Sequence, residues 1–343
     1  MTSKKLLKWE FWPFWIFYIP VYVKYLWLSL KAGTMAFFTA ANPLMKHGGF
    51  TDYSKYDVLK HIKPKFLPFT FLISDADYEK TAAFISEKQL KFPLIFKPDL
   101  GERGFGVEKL NNLQSVKTYF NQGNIGDLII QEYVDYPLEL GVMYSKKTSE
   151  KSGMINSVVM KEFLKIKGDG ESTLKEIILN DKRAQYYVDG LLELYVNDLD
   201  TVIEDGYEKE LVAIGNHSRG TTFLNANHLI NDKLVKVFDE ISSSIPGYHF
   251  GRYDLRVPNE QDLYEGKNIK IMELNGAASE PAHIYDPEMP ILTAYKYLFE
   301  HWQRLYEISI ENHKKGIPYT STFGIVRDVR KRGRFKKSIN IKI

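Results

Sequence analysis

The chain has 343 residues, 44% hydrophobic and 26% charged, a composition that excludes general disorder and leaves room for two or three lobes around a core. A formal net charge of +3 is too small to mark a nucleic-acid binder, and the absence of cysteine excludes disulfides, thiolate catalysis and cysteine-ligated zinc. The charge is uneven: residues 327–343 hold eight Lys or Arg against one Asp, so this stretch is a separate basic object.

Four of the five tryptophans fall within the first 27 residues, in a run from Trp9 to Leu28 broken by Pro13, Pro20 and Lys24. A spanning helix needs about 20 apolar residues with few interruptions. Aromatic rings mixed with lysine suit the headgroup interface of a membrane instead, where each side chain reaches water at one end. An interfacial or re-entrant anchor is the expected role, with an apolar flap packed on the protein, a true span and a secretory signal as alternatives. Lys4, Lys5 and Lys8 before the run and Ala40-Ala41 after it fit a signal, but the length and tryptophan content of the run do not.

Asn42-Pro43 and Gly48-Gly49 mark a loop over 42–53 leading into the body of the protein. The pattern then predicts a helix over 54–62, a strand over 69–73, a helix over 75–88 and a strand over 92–97 that ends in Pro98. A helix over 113–120, a buried strand over 128–134 and strands over 138–145 and 155–163 follow. Helices are predicted over 172–180 and 231–243, and a long amphipathic one over 291–313. No internal repeat is present, and the expected class is α+β with largely antiparallel sheets.

The chemistry-bearing residues cluster in three places. Tyr253-Asp254-Leu255-Arg256 and Lys270-Ile271-Met272-Glu273-Leu274-Asn275-Gly276 both read as strands. Side chains two apart share a strand face, so Glu273 and Asn275 point together, as do Arg252, Asp254 and Arg256. If the two strands pair, Asp254, Glu273 and Asn275 converge as hard oxygen donors of the kind Mg²⁺ takes together with phosphates and water. A surface hairpin of alternating polar residues would satisfy the same pattern. Next, Phe96-Lys97-Pro98 opens into Gly101, Gly104 and Gly106, a turn whose backbone N–H groups suit phosphate oxygens although it fits neither a Walker nor a Rossmann spacing. Taken alone, such a turn is more often a hairpin. Third, the strand Ile130-Gln131-Glu132-Tyr133-Val134 runs through a short turn into a second strand bearing Glu139. This pair offers backbone groups to an adenine edge and a carboxylate to ribose hydroxyls, although taken alone it is more often a meander.

In this order the elements resemble the ATP-grasp superfamily, and in particular its carboxylate-amine ligases such as D-alanine:D-alanine ligases and cyanophycin-synthetase-like enzymes. Gly168-Asp169-Gly170-Glu171-Ser172-Thr173-Leu174 looks like a signature of the cyanophycin-type branch, and Gly215-Asn216-His217-Ser218-Arg219-Gly220-Thr221 occupies the place of another. The resemblance runs over residues 54–290. It implies an ATP-grasp fold, two α+β lobes with antiparallel sheets clamping ATP, preceded by the aromatic segment. The implied division is 1–50 for the aromatic segment and loop, 51–90 for the start of the core, 91–145 for the small lobe, 146–315 for the large lobe and 316–343 for the basic tail.

The resemblance further implies a ligase that forms a C–N bond, with an ATP-grasp small-molecule kinase and a membrane-anchored binding protein without ligase activity as the alternatives. ATP and two Mg²⁺ ions, with Mn²⁺ as a substitute, would serve to activate a carboxylate as an acyl phosphate for attack by an amine. Lys97 and Lys55 would bind phosphates, and Gly101, Arg103, Gly104 and Gly106 would lie in a lid over them. Gln131, Glu132, Tyr133 and Val134 would hold adenine and Glu139 the ribose. Arg252 would stabilise the transferring phosphoryl group with Lys97, while Asp254, Glu273 and Asn275 would ligate the metal. Lys161 and Arg219 would be further phosphate or substrate contacts. His283, in the stretch after the metal strand, would either recognise a carboxylate or be an ordinary loop histidine. The family usually places a Rossmann-like domain that helps bind substrate before this core, whereas about 50 residues rich in aromatics precede Ser54 in this sequence, and the carboxylate and nucleophile stay unassigned. No general base stands out. The partners expected are small-molecule carboxylates and amines and, through residues 1–40 and 327–343, an anionic membrane surface. The expected location is the cytoplasm, peripheral or monotopic at the inner face of the membrane, where the enzyme would meet an amphiphilic substrate.

Overall fold

A computed structural model describes residues 8–101, 104–123, 125–212, 215 and 220–338. The aromatic run forms two helices, α1 (Phe14–Phe17) and α2 (Ile19–Ala32), with Pro20 in the first turn of α2 and Gly33 ending it in the left-handed region at φ 70°. One side of this arm is buried through Phe17, Tyr18, Val21 and Leu28. No described helix is long and apolar enough to cross a membrane. The loop that follows is pinned by buried Asn42. Its Nδ2 donates to the carbonyls of Gly48 and Phe250 at 2.9 and 2.8 Å, and its Oδ1 accepts from the N–H groups of His249 and Phe250 at 2.9 and 3.0 Å.

Helix α3 (Lys55–Leu59) starts at Ser54, whose hydroxyl accepts from the Asp57 N–H at 2.9 Å. Then come β1 (Thr70–Ile73), α4 (Tyr78–Glu87), β2 (Leu94–Pro98), β3 (Glu108–Leu110), α5 (Leu113–Phe120) and β4 (Leu128–Glu132). The strands form one sheet in the order β1-β4-β2-β3. Phe96, Val116, Tyr119, Leu128 and Ile130 fill its core against the two helices. The strand predicted to reach residue 134 stops at Glu132, where the chain turns toward the next sheet.

Next in the chain are β5 (Leu138–Ser145), β6 (Met154–Glu162), β7 (Lys165–Lys167), α6 (Leu174–Asn180), α7 (Val188–Leu194), β8 (Glu208–Glu210) and β9 (Thr222–Asn225). They are followed by α8 (Asp232–Ser243), β10 (Phe250–Val257), α9 (Glu260–Glu265) and β11 (Lys270–Asn275). A second sheet runs β11-β10-β5-β6-β9, and β7 pairs with β8 beside it. Every named strand pair is antiparallel. Leu234, Phe238 and Ile241 of α8 pack on Val142, Tyr253 and Leu255 of the large sheet. The long helix α10 (Ile291–Lys314) buries Leu298, Leu305 and Ile308 completely and carries the aromatic arm on its outer side. The basic tail forms a final helix, α11 (Thr322–Ser338), rather than an unstructured end. It docks because Ile325 joins the cluster of Leu28, Phe37 and Phe38, and because Asp328 pairs with Lys46 at 2.9 Å and His47 at 3.1 Å.

The signature-like stretch at 168–174 is a helix cap. Asp169 Oδ1 accepts from the N–H groups of Glu171 and Ser172 at 3.0 and 2.7 Å, and Thr173 and Glu176 form a capping box for α6. The stretch is also tied to residues 201–207, with the Gly168 N–H donating to the Tyr207 carbonyl at 2.9 Å and the Gly170 N–H to the Ile203 carbonyl at 3.0 Å.

Candidate functional site

The site lies where the two large sheets meet. On β2, alternation buries Phe96 in the small sheet's core and turns Lys97 to the other face. Lys97 Nζ donates to Gln131 Oε1 at 3.0 Å, beside it on β4, and to the Met272 carbonyl of β11 at 2.8 Å, so one ammonium group bridges the sheets. The second contact exists because β11 is irregular. Asp254 pairs with Glu273 and Leu255 with Ile271, which leaves Met272 without a partner on β10. Such bulges re-aim groups next to functional sites, and this one offers Lys97 an acceptor.

The same register sets Arg252 opposite Asn275 and Asp254 opposite Glu273. Arg252 grips Asp254 with two bonds, Nε to Oδ1 at 3.0 Å and an Nη to Oδ2 at 3.1 Å, and Asn275 Nδ2 donates to Asp254 Oδ2 at 3.0 Å. Lys55, at the start of α3, reaches Glu273 Oε1 at 2.8 Å. Lys161 on β6 lies 3.0 Å from Glu139 Oε1 and 3.6 Å from Asp254 Oδ1. Lys55, Lys97, Lys161, Arg252 and Arg256 give five cations against the four carboxylates of Asp99, Glu139, Asp254 and Glu273. That positive excess suits a polyanionic ligand.

Burial pushes the Lys97 ammonium down to about 8, with Lys55 adding to the effect and Glu273 opposing it. Burial alone would raise Glu273, but Lys55 and Lys97 outweigh it and hold the carboxyl at about 2. Burial lowers Lys161, and Asp254 and Glu139 more than offset it, so its pKa rises. For Arg252, burial is likewise outweighed, here by Asp254, and the guanidinium stays charged.

The remaining predicted residues divide. Gln131 is buried between Lys97 and Thr70, its Nε2 donating to Thr70 Oγ1 at 2.9 Å. Glu132 is exposed at the sheet edge, accepting from the Phe69 N–H at 3.2 Å. The Tyr133 ring lies under the Lys109 ammonium at 3.5 Å, and the Val134 carbonyl accepts from Arg256 at 2.7 Å. A β-carbon on Gly101 would stand 3.8 Å from Lys55 Nζ. Gly104 and Gly106 hold φ of 74° and 68°, a backbone that side chains disfavour. Gly215 lies against Glu139, where a β-carbon would come 2.4 Å from Oε1. Arg103 and Arg219 lie outside the described residues.

His283 is fully buried, edge-on to Tyr297 at 4.3 Å between ring centres, and burial pushes it down to about 4. It is a packed neutral ring, in keeping with the ordinary alternative.

Three residues escaped functional assignment from sequence. Arg256, recognised only as sharing a face with Asp254, donates Nε to Glu139 Oε2 at 2.8 Å, so both oxygens of that carboxylate are engaged. Glu280 presents its carbonyl to Arg252 at 3.2 Å, and its carboxyl, pushed up by burial to about 7, accepts from the Tyr285 hydroxyl at 3.0 Å. The Tyr53 hydroxyl stands 3.4 Å from Asn275 Oδ1. The i, i+2 spacing could have drawn attention to Arg256, and Glu280 falls in the stretch 277–283 after the metal strand that is expected to face the acceptor; no local signal points to Tyr53.

Among the described residues no group of three or more His, Cys, Asp or Glu forms a ready metal cage. The donor set of Asp254, Glu273 and Asn275 still fits Mg²⁺, an ion that keeps water and phosphate oxygens and takes only one or two carboxylates. Lys55, Lys161 and Arg252 neutralise the two carboxylates in the structure.

The chain is similar to the tubulin-tyrosine ligase family over residues 48–147. This match includes Lys55, Lys97, the glycine loop, Gln131 and Glu139 and covers under a third of the chain. No curated protein matches the sequence. Among solved structures, the VanG D-Ala:D-Ser ligase of Enterococcus faecalis is 14% identical over 75% of this chain and 60% of its own, with a TM-score of 0.41. A D-alanine–D-alanine ligase of Bacillus anthracis is 11% identical over 74% of this chain and 68% of its own, at 0.37. A bifunctional glutathione synthetase of Pasteurella multocida is 13% identical over 76% and 38%, at 0.33. The chain thus spans less than two thirds of the first and third of these proteins.

Proposed function

We propose that the protein is an ATP- and Mg²⁺-dependent ligase of the ATP-grasp type, which activates a carboxylate as an acyl phosphate and joins it to an amine. The observation that carries this reading is the convergence of Lys55, Lys97, Lys161 and Arg252 on Asp254, Glu273 and Asn275 at the seam of two antiparallel sheets. A carboxylate is a poor electrophile. Its oxygen would attack the γ-phosphorus of ATP, the bond to the bridging oxygen would break, and ADP would leave. Crowded anions, rather than a covalent nucleophile, are then the main obstacle, which matches a site built from lysines and arginines.

Lys97 and Lys55 would hold the phosphates, and Arg252 the group in transfer. Asp254, Glu273 and Asn275 would hold Mg²⁺ or Mn²⁺, which supplies charge neutralisation between phosphate oxygens. In the second step the amine would attack the acyl carbon, inorganic phosphate would leave, and the nitrogen would lose its proton. Glycines at 101, 104 and 106 would let the intervening loop close over the acyl phosphate and exclude water, which would otherwise hydrolyse it.

The test is an ADP-release screen across carboxylates and amines with mass analysis of products. ADP together with an amide supports the ligase. ADP with a phosphorylated product and no amide would make the protein a small-molecule kinase, and no ADP release with any pair would refute both.

A further inference from the structure

The aromatic arm is only half used by the fold. Trp15, Ile19, Val23, Leu26, Trp27 and Leu30 are 66%, 53%, 66%, 50%, 55% and 77% exposed. At about 100° per residue they fall within one arc of about 120° along α1 and α2. The opposite side, through Phe17, Val21 and Leu28, is buried on the protein. A contiguous row of large apolar side chains left in water marks an interaction surface.

We infer that this face seats the protein on an anionic lipid surface, with α2 lying in the plane of the headgroups. Charge decides between lipid and a second copy of the chain. From Phe11 to Thr51 there is no acidic residue, while Lys24 and Lys31 lie on α2 itself. Helix α11 brings Arg327, Arg330 and Lys331 to the surface, and it joins α2 through the shared contacts of Ile325 and Leu28. Two copies meeting on this face would set basic arm against basic arm. Anionic headgroups accept the lysines and arginines, and tryptophan rings favour the same depth.

The buried side ties the arm to the site. Trp9 and Phe17 lie 6.1 and 6.3 Å from the Tyr285 ring, Tyr285 donates to Glu280, and the Glu280 carbonyl receives Arg252. On the ligase reading, this brings an amphiphilic substrate and the reacting groups to one surface. The lipid inference itself does not depend on catalysis.

The experiment is flotation of the full chain with vesicles of phosphatidylcholine plus phosphatidylglycerol and with phosphatidylcholine alone. Wild type floats with the anionic vesicles, and a Trp15→Glu, Val23→Glu, Leu30→Glu triple variant loses at least about tenfold in affinity, the equivalent of about 1.4 kcal/mol. A Leu194→Glu control, altered at an exposed residue of α7, floats as wild type does, and unchanged melting curves establish that all variants fold. Wild type that stays unbound to both vesicles, or a triple variant that floats as well as wild type, overturns the inference. Wild type that self-associates through this face without floating assigns it to a second copy and also overturns it. A failed flotation leaves ADP release unaffected, so the two proposals fail separately.

Discussion

Lys97 gives the most specific prediction at the scale of a residue, because burial holds its ammonium at about 8 while an anionic ligand would restore its charge. Titration with a non-hydrolysable ATP analogue, in buffers of different ionisation enthalpy, should show proton uptake on binding above that pH and much less well below it. Lys97→Met should remove the pH-dependent component. For stability the sign runs the other way: between about 8 and the ordinary lysine value the unfolded chain holds a proton that the folded one releases. This group therefore adds stability as pH rises through that window. Arg256 makes a second case. It is 6% exposed and paired with Glu139, which is 5% exposed, so Arg256→Met leaves a buried carboxylate with Lys161 alone. Breaking a buried pair costs about 3–5 kcal/mol, and urea denaturation should show a loss toward the lower end because Lys161 remains.

At the scale of elements, the β10–β11 pair with its neighbour β5 sets the site's geometry. Gly141 on β5 lies opposite Asp254, and a β-carbon there would meet Val159 at 2.7 Å and Arg252 and Asp254 at 3.1 Å. Gly141→Ala should cost about 1–3 kcal/mol in denaturation and weaken nucleotide binding by displacing Arg252 and Asp254. Wild-type affinity in that variant would show that the pair tolerates displacement. The strands here are legible in the sequence because polar and apolar residues alternate around Asp254 and, past the adjacent apolar pair Ile271-Met272, over Glu273-Leu274-Asn275. That break in alternation coincides with the unpaired Met272, but alternation does not encode that the Met272 carbonyl meets Lys97 of the other sheet. Nor does it reveal Glu280, whose environment comes from Tyr285 and Arg252 across a loop. The basic tail read as a charge run, yet it is helical: Ile325 and Asp328, two residues among many cations, find a buried cluster and Lys46 with His47 to hold them.

Across the whole molecule, two antiparallel sheets share a charged seam, with the aromatic arm and α11 packed on the side of α10. The α+β class was readable from alternating strand and helix periods. The arm's division into a buried and an exposed side was not, because its rings are apolar all round and only tertiary contact selects which of them pack. If the seam binds a metal nucleotide, calorimetric titration with a non-hydrolysable ATP analogue detects it. Binding that requires Mg²⁺ and weakens at least about tenfold, or about 1.4 kcal/mol, in both Lys97→Met and Asp254→Asn is the predicted result. Absence of binding to the folded wild type with Mg²⁺ present, or full affinity in both variants, would contradict it.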